Sequence, residues 1–375
     1  MRSLSSETKW QLFVASFSVA PFYVAPFVVL TLLVQTEISP VLLGLFPAAV
    51  MSGLFLVVTL LPFVARGANL KVIGRAAFSL SILILALVSV FGVTIVWLVL
   101  LGASLGVSSG ILFYFGTTVA LDAEQRFVAF LTRLAFSLIW AGSVVSVFAL
   151  LYPFAGLRVL FMCLAAIYSF LFFVIPNWQI AAPAATRERI AGVWHWNGVW
   201  ALALVFVFFV GQTGFYSFHA AIKFTEVTVE VLQLSLPRIA AGILLLTGTS
   251  VFMKFSGIKA IAVLTAAQII SVLVLFSSNN AAGVFLVICV YEIAFNLISS
   301  HVQSAAGQIA PAMARRFLSP AVIGGAIAGP VVCGALITHF SSETAIAFVL
   351  LTCAMPVLVA LLAQLAPAQG ATGKP

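Results

Sequence analysis

The sequence predicts an all-α integral membrane protein with twelve transmembrane helices in two pseudo-symmetric six-helix bundles. Three observations carry that prediction. Of 375 residues, 63% are hydrophobic and only 7% charged, against roughly 25% charged in ordinary soluble domains, and no soluble core absorbs so much apolar surface. Charges, prolines, glycines and polar clusters also divide the chain into twelve apolar segments of about bilayer-spanning length, near 11–34, 41–65, 73–93, 95–119, 128–152, 156–176, 197–219, 231–253, 258–276, 281–307, 317–340 and 343–365. Finally, basic landmarks recur across the chain. Arg66 and Lys71 after the second segment match Lys254 and Lys259 after the eighth at an offset of 188, and Arg126 matches Arg316 at 190. A duplicated six-helix unit explains the offset and divides the chain into residues 1–176, a cytoplasmic central loop at 177–196, and residues 197–375.

The first segment follows Arg2 and Lys9 and is longer than the apolar region of a secretory signal, so it reads as a spanning helix. It carries Ser16, Ser18 and Tyr23 around Pro21 and Pro26, and the prolines bend it and free carbonyls toward the interior. The third, sixth and twelfth segments have few polar side chains, as lipid-facing helices should. The fourth combines a small-residue ladder, Gly102, Gly106 and Gly110, with Ser104, Ser108, Tyr114 and Thr118; the ladder suits close helix packing. Asp122 and Arg126 precede the fifth segment, spaced to pair along a helix end. Arg126, Arg133, Arg315 and Arg316 read as inner-face charges.

The seventh segment places Gln212, Tyr216, His219 and Lys223 at spacings of four, three and four. The tenth repeats that spacing with Glu292, Asn296, Ser299 and Gln303, which lines one face of a helix with polar groups. Lipid cannot solvate them, so the stripe faces other helices or a water-filled path. A carboxylate at mid-bilayer costs at least about 2.5 kcal/mol to insert and needs a partner or a proton. Glu292 is therefore the candidate proton-coupling group, the alternative being a structural carboxylate in a buried ion pair. Arg238, after Pro237 in the eighth segment, binds an anionic solute group, pairs with Glu292, or snorkels to the outer interface. His301 lies off the stripe and reads as a packing residue.

Fourteen of the seventeen Lys and Arg fall on one side of this layout, all but Arg158, Lys223 and Arg238. The bias puts both termini in the cytoplasm of a cell membrane, a bacterial inner membrane by preference. The net charge of +8 is thereby assigned to membrane orientation, and nucleic acid is not expected as a partner. Cys163, Cys289, Cys333 and Cys353 sit inside apolar runs without CxxC spacing, which suits structural thiols and no metal. The sequence contains no P-loop or HExxH motif, so neither an enzyme nor a cofactor is expected.

Several stretches resemble motifs of one family. The loop from Arg66 to Arg75 resembles the basic Gly/Asp/Arg loop that the major facilitator superfamily of secondary transporters carries after helix two, without its usual acidic residue. Asp122 to Arg126 resembles the acidic-then-Arg loop before helix five, and Gly156-Leu157-Arg158 the turn before helix six. Gly325 to Gly334 resembles a Gly-Pro motif of exporters, here in helix eleven instead of helix five. The family's frequent helix-four Arg is absent. The resemblance covers essentially the whole chain. It implies a monomeric secondary active transporter that moves a small organic solute by alternating access, with a cavity lined by helices one, four, seven and ten. Those helices hold Tyr23, Tyr114, Gln212, Tyr216, His219 and the Glu292 stripe. The loops place Arg66, Arg75, Asp122 and Arg126 in gating positions. Proton-coupled efflux is the favoured expectation, with uptake symport, facilitated diffusion or a non-transporting sensor as alternatives.

Overall fold

A computed structural model describes residues 4–21, 45–64, 67–178, 196–223, 227–254, 257–277 and 280–365. Among these every regular element is helical, and nine helical stretches, the last of them the broken Glu343–Gln364, are long and apolar enough to cross a membrane. In chain order the helices as a whole begin with α1 (Ser6–Ser16), which runs into the 3-10 turn Phe17–Val19. There follow α2 (Leu45–Val64), α3 (Leu70–Phe91), α4 (Ile95–Asp122), α5 (Arg126–Ala155) and α6 (Leu157–Val174). Beyond residue 195 come α7 (Trp196–Lys223), α8 (Val227–Thr247) with a short extension Thr249–Phe252, α9 (Ile258–Ser277), α10 (Ala281–Ile309), α11 (Pro311–His339), α12 (Ser342–Thr352) and α13 (Met355–Leu365).

The breaks have local causes. Gly92 adopts φ 84, which favours glycine, and Thr94 then caps α4 by accepting from the Trp97 N–H. Gly156, at φ 58, turns the chain between α5 and α6. Pro311 opens α11, six residues earlier than the apolar pattern suggests, at the first helical turn where a missing N–H costs nothing. The twelfth apolar segment is not one helix: it breaks between Thr352 and Met355, where Pro356 has no N–H to continue the ladder.

The most extensive helix pairings are α7 with α11, α2 with α4, and α5 with α8. Glycine makes the closest of them possible. A side chain at Gly106 of α4 would collide with the Val50 carbonyl of α2, so the expected packing role of that ladder holds. A Cβ at Gly142 of α5 would lie 2.5 Å from Ile239, and one at Gly242 of α8 would lie 2.7 Å from Ile139. Those two helices, with α2 against α11 and α5 against α10, join residues before position 178 to residues after position 196. Large apolar side chains such as Val90, Phe91, Phe154, Met162 and Phe173 are exposed, as a lipid-facing surface requires.

Candidate functional site

Arg238 and Glu292 meet in the interior. The Arg238 Nε donates to Glu292 Oε1 at 3.0 Å, with side-chain exposures of 6% and 1%. α8 packs on α10, and that contact brings the two residues together. Of the three sequence readings of Arg238, pairing with Glu292 is the one observed. Phe215, Ser271, Ile288 and Tyr291 border a small cavity beside the pair, with room for about one water.

A second polar group lies next to it. The hydroxyl of Tyr291 donates to Gln212 Oε1 at 2.6 Å, and Gln268 Nε2 donates to the same oxygen at 2.5 Å. Gln212 Nε2 points at Cys353 Sγ, 3.3 Å away, at the break between α12 and α13. Four elements are thus tied through one buried amide. Sequence reasoning singled out Gln212 but missed Gln268 and Tyr291. A signal existed for Gln268: Thr265, Gln268 and Ser271 recur every three residues in an otherwise apolar segment and are all buried.

The stripe on α10 is buried over its whole length. Glu292, Asn296, Ser299 and Gln303 are each 3% exposed or less. Asn296 Nδ2 returns to the Glu292 carbonyl at 2.7 Å, and Ser300 repeats the pattern to the Asn296 carbonyl. The Ser299 hydroxyl has no hydrogen-bond partner among the described residues.

Before residue 176 the expectation for Arg133 fails. Arg133 is not an inner-face charge: it is 2% exposed, lies 4.3 Å from the Phe113 ring centre, and donates to Thr117 Oγ1 at 2.8 Å. Gly116 makes room, since a Cβ there would meet the Arg133 Cδ at 3.0 Å. Tyr114 is buried on the same helix, and its carbonyl accepts from Thr118.

The proposed gating residues divide. Asp122 and Arg126 do not pair, because α4 ends at Asp122 and α5 starts at Arg126, so no single helix carries both. Asp122 instead meets Arg315 of α11 at 2.8 Å, and Arg126 donates to the Leu121 and Gly307 carbonyls. The Phe127 and His301 rings stack at 4.1 Å, so three contacts link the α4–α5 junction to α10 and α11. Arg75 stays within its own half, donating to the Phe172 carbonyl with its guanidinium near that ring. Tyr23 and Arg66 lie outside the described residues. Tyr216 and His219 lie on α7, but their side chains are outside the described set.

The Gly-Pro stretch of α11 is occupied by packing. A Cβ at Gly325 would crowd the Phe206 carbonyl, and one at Gly329 the Val210 carbonyl, both on α7.

No family model matches the sequence, and no curated protein does. Solved structures do. The structure is similar to that of FucP, a major facilitator superfamily transporter in the outward conformation, with a TM-score of 0.64, 16% identity, and coverage of 96% of this chain and 99% of that one. It is also similar to a variant of the E. coli fucose:proton symporter FucP, with a TM-score of 0.65, 15% identity, and coverage of 95% and 97%. Over nearly its whole length, then, this chain has the fold of major facilitator superfamily transporters.

Proposed function

We propose that the protein is a secondary active transporter that moves a small organic solute across a cell membrane by alternating access, with proton coupling through Glu292. In this reading twelve spanning helices form two six-helix halves, residues 1–176 and 197–375, joined by a cytoplasmic loop at 177–196. Both termini are cytoplasmic and the chain works as a monomer. The solute path runs along Tyr23, Tyr114, Gln212, Tyr216, His219 and the α10 stripe, and the solute is polar or amphipathic to match those groups.

The observation that carries the proposal is the buried Arg238–Glu292 pair, on facing helices of a transporter fold. An ion pair in a low-dielectric interior is stable only while both charges are present. Protonating Glu292 leaves the Arg238 charge to find another partner, so proton binding biases the packing of α8 against α10. A bistable contact of that kind is what an alternating-access cycle uses. That one similar fold belongs to a fucose:proton symporter supports the coupling. The contacts of Asp122, Arg126 and Phe127 with α10 and α11 then belong to one end of the path and separate in the opposite state.

Efflux rests on the Gly-Pro resemblance in α11. Uptake symport is the second reading, favoured because those glycines pack on α7 and because that neighbour is a symporter. Counterflow tests transport itself. Proteoliposomes preloaded with unlabelled sugars, organic acids or organic cations should accumulate the labelled form of at least one. A protein that exchanges none of them is a sensor or scaffold and not a transporter.

A further inference from the structure

We propose that Arg133 is the counter-charge for a carboxylate on the transported solute, so that the substrate is an organic anion. The inference rests on the transport reading above and adds the substrate class to it.

A guanidinium has five N–H donors and no acceptor. At Arg133 one donor reaches Thr117 Oγ1, and that hydroxyl is already committed, since it donates to the Phe113 carbonyl at 2.9 Å. The Phe113 ring lies over one face of the guanidinium and stabilises it by cation–π attraction. The remaining four donors find no acceptor among the described residues, and no carboxylate there lies within 4.0 Å of the group. A cation at 2% exposure with four open donors is a high-energy arrangement in a protein interior.

A second open donor lies on α1. Ala15 faces Gly116, the glycine that admits Arg133. Ser18 lies three residues further along, on the same face through the 3-10 turn. It is 1% exposed and its hydroxyl has no partner among the described residues. Where α1, α4 and α5 meet, they therefore offer several unanswered donors, and among the described residues no carboxylate lies within 4.0 Å of Arg133.

Donors without acceptors fit a ligand that brings acceptors and negative charge. A carboxylate matches a guanidinium edge through two parallel hydrogen bonds. The Glu292 carboxylate does not compete, because Arg238 already holds it.

The test uses the purified full-length chain in detergent at constant ionic strength. Thermal unfolding is followed with glucuronate against glucose and with succinate against succinamide. Bound ligand raises the midpoint. The expected result is a rise with at least one acid and none with its neutral partner, lost in Arg133→Met. In Arg133→Lys, which keeps the charge without the fork, the acid binds about tenfold more weakly. That second variant carries the test if Arg133→Met does not fold. Equal shifts from acid and neutral partner, a shift that survives Arg133→Met, the same shift from chloride alone, or no shift with any acid would each overturn the proposal. Acid binding that depends on Arg133 without any counterflow would instead sink the transport reading and leave the anion site standing.

Discussion

Arg238 and Arg133 are both nearly inaccessible, one in each half of the sequence, yet only Arg238 has a carboxylate within 4.0 Å among the described residues. Arg238 is neutralised by Glu292 of α10, and Tyr291 beside that carboxylate is tied to Gln212 of α7. Arg133 is held by a hydroxyl and an aromatic face. A charge answered inside the fold is costly to strand and can be switched by a proton. A charge left unanswered is a cost to the empty protein and an attraction for a ligand. That difference makes the two arginines behave oppositely under substitution.

The largest expected effect is at the paired site. Glu292→Ala strands the Arg238 charge and should lower stability by about 3–5 kcal/mol, read from the unfolding midpoint in detergent. The Arg133→Met substitution should lower it by far less or raise it, since it removes a buried charge that has no acid to lose. If the two variants are equally destabilised, the contrast between the sites is wrong. A smaller effect is expected from the double variant Arg238→Met with Glu292→Met. It removes both charges together and should recover most of the stability lost in Glu292→Ala, while proton coupling stays absent. The smallest belongs to Asp122→Asn. Its pair with Arg315 is about half exposed on both sides, so its loss should cost under about 1 kcal/mol and less still at high salt.

The contrast between the two sites also separates what was legible in the sequence from what was not. Helices were legible because apolar run length and Gly/Pro breaks are local signals, and the α10 stripe was legible because its spacing matches the helical repeat. The pairing of Arg238 with Glu292 appeared only as one of several options, since which helices touch is not a local property. Arg133 was misread for a similar reason. Its position about 10 Å along α5 from Arg126 suits an inner-face charge, and only Gly116 and Phe113 on another helix draw it inward. The Asp122–Arg126 spacing was read correctly as a number and wrongly as a contact, because the turn at 123–125 interrupts the helix that spacing assumes. Gln268 was overlooked in a segment judged by its apolar average, though its neighbours Thr265 and Ser271 mark a buried face.

The most direct test of the central claim is the internal pH of proteoliposomes while sugars, organic acids and organic cations are added outside, with wild type and Glu292→Gln side by side. Proton coupling through Glu292 predicts that at least one solute class moves protons in wild type, and that the variant exchanges the same solute without moving them. Solute exchange in both proteins with no proton movement in either would contradict it, and Glu292 would then be a structural partner of Arg238.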